Sequence, residues 1–509
     1  MISTGKPVHT LLALVSVLAV ASGAQPALAR PDHAAPTAAA TEHSHLSWTP
    51  CRTLVHGWDP GDKRTECATV SVPVDYARPQ GRTIRLMISR LKATSPARRR
   101  GVVLINPGGP GNSGLEMPGF LSRTSVAGIG TDHDLIGFDP RGIGFSGGKR
   151  CDPSPEDGPA PDPKASARVQ FAQEYRQNAR YNKRCAGYDP AYIAGLSTTV
   201  MARDMDRIRV ALGEEKIGFY GISWGTALGV VYRSLYDRHV DRMLLDSVMP
   251  PDFSLKAMND GPVAAAEADF ARFARWVATR NRRYHLGRTA PAVTGTVLGL
   301  ARQLDRHPRT LTLPDGRSVT FGVGALRTIM GYPRGRWPDM ATSVVALRHG
   351  GVPPLLGDEE GGERASRHTG LVDSVDSGLL PQISVLCNDQ GADPDEHTLW
   401  RQEQRRVASS PLFNSLAGYE SWCAGWPLPA QPWHLRRGTS TVQFVGHRYE
   451  TTTPYPWARK MRRRVGGALL TVEDGVHGSL LQTPCGSRAV EFFSTGRLFE
   501  GTCPGVPGH

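Results

Sequence analysis

Residues 216–236 read KIGFYGISWGTALGVVYRSLY. A short apolar run, Ile217 to Tyr220, meets Gly221-Ile222-Ser223-Trp224-Gly225 and then an amphipathic stretch, so the order is strand, sharp turn, helix. A serine hydroxyl is a poor nucleophile and must be held out at a tight turn, next to a base and near N–H donors. Gly221 and Gly225 stand two residues either side of Ser223, where a side chain would collide with the neighbouring strand or helix. The same G-x-S-x-G pattern occurs at Gly144-Phe145-Ser146-Gly147-Gly148, but that copy leads into KRCDPSPEDGP, a run of prolines and turn formers. Only Ser223 has a strand before it and a helix after it, and it is the expected nucleophile.

Working outward, GVVLIN (101–106), DLIGFD (134–139) and VDRMLLDSV (240–248) are short apolar runs of the kind buried on both faces of a parallel sheet. TVQFVG (441–446) and ALLTVEDG (468–475) resume that pattern late in the chain. ATVSVPVDY (68–76) and RTIRLMISRLKA (82–93) alternate like a hairpin at a sheet edge. Ser197 to Leu212 offers N-cap residues and then Met201, Met205, Ile208 and Leu212 at helical spacing. Strands alternating with helices predict an α/β fold with a doubly wound, mostly parallel sheet.

From 251 to 435 the character changes. PVAAAEADFARFARWVATR (262–280) predicts a long amphipathic helix with Phe270, Phe273 and Trp276 near one face, and helical pieces follow at 325–330 and 339–347. Strand signals are few, and GDEEGGER (357–364) reads as a loop. This segment is expected to be a mostly helical cap inserted between a first core part, 47–250, and a closing part, 436–509.

At the start of the chain, Lys6 and His9 precede an apolar run from Leu11 to Ala21, and Ala27-Leu28-Ala29 makes an A-x-A pattern. Residues 1–29 read as a secretory signal peptide cleaved near Ala29, and the aperiodic, Ala-rich 30–46 as a disordered lead-in. No stretch reaches the roughly 18 apolar residues of a membrane span. Export makes the eight cysteines candidates for bridges. Of the about 105 pairings eight allow, pairing neighbours gives Cys51 with Cys67, Cys151 with Cys185, Cys387 with Cys423, and Cys485 with Cys503.

The formal charge is +13, but the Lys and Arg are scattered and no nucleic-acid module is visible. A solvated surface with loose attraction to an anionic cell envelope is the expected reading. No cysteine or histidine spacing suggests zinc. G-x-G-x-x-G occurs at 109–114 and 142–147, but the first contains Pro110 and the second runs into a cysteine- and proline-rich loop. Neither makes a dinucleotide cradle, and no cofactor is expected.

A serine nucleophile needs a base and an acid that orients the base, and on such a sheet both are expected at the carboxyl edge, in the chain order Ser, acid, His. Glu450 follows TVQFVG and His477 follows ALLTVEDG. They are the expected acid and base, with His447 the closest rival base and Asp246 or Asp474 the rival acids. The oxyanion needs two N–H donors. One is the amide of Trp224, and the other is Gly108 or Gly109 in Asn106-Pro107-Gly108-Gly109-Pro110-Gly111.

These residues sit in a longer set of ordered motifs: ECATVSVPVDY, INPGGPGNSG, FDPRGIGFS, YGISWGT, YPRGRWPDMA, TTTPYPWARKM and a closing HG with Cys485 and Cys503. The set resembles the secreted tripeptidyl aminopeptidases of the proline-iminopeptidase-like α/β-hydrolases over nearly the whole mature chain. The resemblance implies an α/β-hydrolase fold, cleavage of short peptides from free N-termini, and a triad at Ser223, Glu450 and His477. Trp224, Glu450 and Val476 stand where that family more often has Tyr, Asp and a smaller or polar residue. An exopeptidase must also hold a cationic amino terminus, for which Asp389 is the candidate carboxylate. An esterase or amidase acting on a small molecule, and a non-catalytic secreted binding protein on a hydrolase fold, are the other readings.

Overall fold

The computed structural model describes residues 46–148, 151–153, 155, 165–312, 316, 318–357, 379–413 and 418–506. The expected signal peptide, all of the lead-in except Leu46, and all but the first residue of the 357–364 loop lie outside the described residues. Leu46 packs against the main core.

Ten strands form one sheet: β1 (Thr49–Pro50), β2 (Glu66–Pro73), β3 (Thr83–Leu91), β4 (Gly101–Asn106), β5 (His133–Phe138), β6 (Ile217–Ile222), β7 (Val240–Asp246), β10 (Thr441–His447), β11 (Ala468–Val472) and β12 (Gly501–Cys503). A separate hairpin pairs β8 (Arg309–Thr312) with β9 (Ser318–Phe321). The sheet order is β1-β2-β3-β5-β4-β6-β7-β10-β11-β12, with β1, β2 and β3 antiparallel and every pair from β5 to β12 parallel. Successive residues of a strand face opposite sides. Val102, Leu104, Phe219, Met243 and Leu245 therefore enter one core, and Val103, Ile105, Tyr220, Ile222 and Leu244 the other. Burial on both faces is why these strands show no polar alternation.

The helices that bear on the site are α1 (Ala167–Ala186), α2 (Thr198–Ala211), α3 (Trp224–Tyr236), α4 (Leu255–Ala278), α5 (Ala290–Arg306), α6 (Val323–Met330), α7 (Trp337–His349), α8 (Leu380–Gln390) and α10 (Tyr455–Val465), with α9 (Glu396–Ser409) between the last two. Ser197 caps α2, its hydroxyl accepting the Val200 N–H, and Met201, Met205 and Ile208 enter the core as their spacing predicts.

Between β7 and β10, helices α4 to α7 close on an apolar core of their own that includes Phe273, Val277, Leu300, Leu326, Trp337 and Val344. Three features differ from the sequence expectation. The β8–β9 hairpin carries no clear strand signal because it is short and half-exposed. Residues 251–435 also do not pack as one body, since α8, Cys423 and Trp426 join the core of the sheet.

Helix α4 begins at Leu255, seven residues before the expected start at Pro262, with the Ser254 hydroxyl accepting the Ala257 N–H at 3.1 Å. Proline lacks an N–H and is favoured at the first turn of a helix, which is how Gly261-Pro262 reads in sequence. In the fold the pair marks a crossing instead. A Cβ on Gly261 would lie 2.3 Å from the Trp457 ring of α10.

Four disulfides join Cys51–Cys67, Cys151–Cys185, Cys387–Cys423 and Cys485–Cys503, the neighbour pairing expected from sequence. Bridges of this number fit an oxidising compartment. Among the described residues no helix is long and apolar enough to cross a membrane.

Candidate active site

Ser223 joins β6 to α3 with φ 58° and ψ −128°, a left-handed conformation that a residue with a side chain adopts only when its surroundings hold it there. Its N–H donates to the Asp246 carbonyl at 3.0 Å, which fixes the turn to the end of β7. As the first residue of α3, Trp224 has an N–H with no acceptor inside the helix.

The loop after β4 presses against this turn. A Cβ on Gly108 would come within 2.6 Å of the Ile222 oxygen and 2.7 Å of the Ser223 Cβ. Only glycine permits that approach. Of the two candidate donors in the loop, Gly108 gives its N–H to Asn106 Oδ1 at 3.0 Å. The Gly109 N–H has no acceptor among the described residues. The other G-x-S-x-G copy is structural: Ser146 is fully buried, donating to the Asp139 carbonyl and accepting the Met87 N–H.

Glu450 and His477 come together at the carboxyl edge. Glu450 is 2% exposed and both of its oxygens are held. Oε1 accepts from His477 Nδ1 at 2.5 Å and from the Thr453 N–H and hydroxyl at 3.1 and 2.6 Å, and Oε2 accepts from the Ser247 hydroxyl at 3.0 Å. Burial alone would raise its pKa, but the hydrogen bond and charge of His477, the charge of His447 and the Thr453 bond hold it below the usual value. An ionised carboxylate only accepts, so the His477 proton on this side is on Nδ1 and Nε2 is left as the basic nitrogen.

The histidine loop is tied to the same place, because the Gly478 N–H donates to Ser247 Oγ at 2.8 Å and a Cβ on Gly478 would touch Ile222. No hydrogen bond joins the Ser223 hydroxyl to His477 among the described residues. Such bonds are often long in empty sites and tighten when substrate binds.

Ser223, Gly109, Tyr449, Gly475 and Val476 border a cavity of about 480 Å³, in the range of small-ligand pockets. Its far wall comes from the helical insertion and is largely apolar, with Met258, Met330 and Phe413. One carboxylate also faces it, Asp269 of α4. Arg272 contacts only Asp269 Oδ1, at 3.0 and 3.1 Å, and burial raises the Asp269 pKa against the pull of Arg272 and Arg334. Two guanidinium groups lie over the Tyr449 ring, Arg334 at 4.1 Å and Arg272 at 5.0 Å from its centroid, which links the insertion to the loop carrying Glu450.

Asp389 is the carboxylate expected from sequence to hold the amino terminus. Its carboxylate accepts the Thr198 N–H and hydroxyl at the start of α2 and the Trp433 indole N–H, at 3.0, 2.5 and 3.0 Å, and it borders a different cavity. Burial pushes it up to about 7 against those bonds. It is a satisfied structural acid. Asp269 was not singled out from sequence because nothing in EADFARFAR says which face of the helix looks toward Ser223.

The rival residues form a cluster of their own. His447 is fully buried, with Nε2 2.7 Å from Asp246 Oδ1 and Nδ1 2.7 Å from Asp474 Oδ1, so it is not available as a base for Ser223.

An alpha/beta hydrolase fold family matches residues 101–345 and a TAP-like protein family matches residues 410–503. The tripeptidyl aminopeptidase of Streptomyces lividans is 31% identical over 488 residues, covering 91% of this chain and 87% of that protein. Serine protease Hip1 of Mycobacterium tuberculosis is 26% identical, covering 90% of this chain and 89% of that protein. Carboxylesterase B of the same organism is 29% identical, covering 90% and 88%. With a strained serine turn and a buried carboxylate held to a histidine on one sheet edge, the chain belongs to the tripeptidyl aminopeptidase family of α/β-hydrolases and is a serine hydrolase.

Proposed function

We propose that the protein is an exported exopeptidase that cleaves short peptides from free amino termini, with Ser223, His477 and Glu450 as its catalytic triad. The observation that carries the reading is the 2.5 Å His477–Glu450 contact at the sheet edge where the Ser223 turn opens on the cavity. In this reading His477 Nε2 takes the Ser223 proton as Oγ attacks the amide carbonyl, and Glu450 steadies the imidazolium. The Trp224 and Gly109 amides hold the oxyanion, the amine leaves with the proton from His477, and water releases the acyl group.

Asp269 takes the part first given to Asp389. Its Oδ2 accepts no hydrogen bond among the described residues, and a carboxylate in an apolar cavity suits an ammonium group. Export through a signal peptide cleaved near Ala29 accounts for the disulfides.

A mass-resolved assay on tripeptide amides with free and acetylated amino termini, beside a nitrophenyl ester, tests the reading. Preferred turnover of the free-amine tripeptide, with three residues leaving together, supports it, and ester-only turnover ends it. Asp269→Asn is expected to raise KM for free-amine substrates about tenfold or more while leaving acetylated ones near wild type, as loss of a charged hydrogen bond predicts. A second reading, an esterase on small apolar molecules, draws support from the Met and Phe wall and from the relative named carboxylesterase B. The same assay separates the two.

A further inference from the structure

His447, Asp246 and Asp474 take no part in the chemistry above, yet they form a fully buried cluster directly beneath it. Each ring nitrogen of His447 lies 2.7 Å from a carboxylate oxygen. An imidazole can donate to two ionised carboxylates only when both nitrogens carry protons, and the two 2.7 Å contacts fit such an imidazolium. Asp474 is further held by the Ser479 hydroxyl at 2.6 Å and the Val506 N–H at 2.9 Å, and Ser479 Oγ lies 3.2 Å from His447 Nδ1.

Strand register explains the meeting. Asp246 pairs with Val445, two residues before His447, and His447 pairs with Val472, two residues before Asp474. A period of two puts all three side chains on one face at the carboxyl edge.

The elements that the cluster joins are the ones that carry the site. Asp246 offers its carbonyl to the Ser223 N–H, and Ser247 bridges Glu450 Oε2 and the Gly478 N–H. Glu450 lies three residues after His447, and His477 lies between Asp474 and Ser479. The charged and titratable groups facing the ring are Asp246 from β7, Glu450 from the loop after β10, and Asp474 from the turn after β11, with Tyr220 of β6 beside Asp246. Burial alone would push the His447 pKa down, but Asp246, Asp474 and Glu450 outweigh it and push it up to about 10. Its charge in turn helps hold Glu450 ionised.

We propose that His447 is a positioning residue of the active site, a buried imidazolium that locks the ends of β7, β10 and β11 together and keeps Glu450 ionised and aimed at His477. The inference rests on the triad reading. A group whose pKa is raised by folding stabilises the fold fully below its unfolded value, 6.5, and loses that contribution as pH rises through about 10. Activity should fall in the same window.

The test measures kcat and KM from about pH 6 to about pH 11 for the full enzyme, with thermal unfolding alongside. The wild type is expected to lose kcat around pH 10 with little change in KM. Asp474→Asn removes one of the two carboxylates that hold the proton and should move that loss down by about one pH unit or more. His447→Gln should lower kcat about tenfold or more with KM nearly unchanged.

A folded Asp474→Asn with an unmoved alkaline limb, or a folded His447→Gln with wild-type kcat, overturns the proposal. Should both variants fail to fold, nitrogen-15 spectra of histidine-labelled wild type decide: one ring still doubly protonated at about pH 9 supports it, and none overturns it. Ser223→Ala separates the two readings. Retained activity there sinks the triad, whereas loss of activity there with an unmoved limb in Asp474→Asn sinks only the role of His447.

Discussion

Glu450 differs from an aspartate by one methylene, and its surroundings absorb that length from both ends. Oε1 reaches His477 and Thr453 while Oε2 reaches Ser247, so the carboxylate bridges the histidine loop and the end of β7. Glu450→Asp cannot span both sides. A displacement of about 1 Å at a triad costs on the order of 100-fold, and a loss of kcat of about 10- to 100-fold with KM little changed is the expected outcome in steady-state assays.

Glu450→Gln keeps the length but removes the charge that fixes the His477 tautomer, and kcat should fall about 10³- to 10⁴-fold. Because folding lowers the Glu450 pKa from 4.5, its stabilisation is present above that value and is lost as pH falls. The melting-temperature gap between wild type and Glu450→Gln should therefore shrink in acid. Ser223, Glu450 and His477 could be proposed from sequence because each follows a strand with its own apolar signal. Asp269 could not be singled out that way, since its facing the cavity depends on how α4 lies over the sheet, and sequence gives no sign that the Asp389 carboxylate is held by Thr198 and Trp433.

Elements were legible where hydrophobic burial alone specifies them. Strands β4, β6, β7 and β10 stood out because both of their faces are dry. Helix α1 left no such trace, for its buried face includes Asn178 and Asn182, which pack by hydrogen bonds. Asn178 donates to the Ser421 hydroxyl at 3.0 Å, and Asn182 to the Trp422 and Ala424 carbonyls at 2.8 Å each. Periodicity arguments count such residues as solvent-facing.

The Gly261-Pro262 pair misled for a related reason, since a helix breaker at a tight crossing looks the same in sequence as a helix start. Gly261→Ala tests that account. The new methyl meets the Trp457 indole, which is 6% exposed. Overpacking of this kind costs about 1–3 kcal/mol. A lower melting temperature is expected, with a raised KM because Pro262 and Trp457 both border the cavity that Ser223 lines. An unchanged melting temperature would mean that α4 is free to slide.

Across the whole molecule, the bridges sit at places the sheet cannot secure by itself. Cys51–Cys67 lies at the β1–β2 edge, and Cys485–Cys503 anchors β12, which pairs with β11 through three residues only. The two close loops of similar length, with sequence separations of 16 and 18, so chain entropy assigns each about 3 kcal/mol. Replacing either pair by serines should then lower the melting temperature by a similar amount.

Activity should tell them apart. Just after β12, the Val506 N–H donates to Asp474, and the Glu473 N–H donates to the Cys503 carbonyl, so the Cys485–Cys503 bridge steadies the turn that leads to His477. The Cys51–Cys67 bridge is at the opposite end of the strand order. Cys485→Ser with Cys503→Ser is expected to lower kcat several-fold below its unfolding temperature, and Cys51→Ser with Cys67→Ser to leave kcat near wild type. Equal losses of kcat from the two double variants would mean that the bridges act only through global stability, and that the closing strand does not reach the catalytic edge.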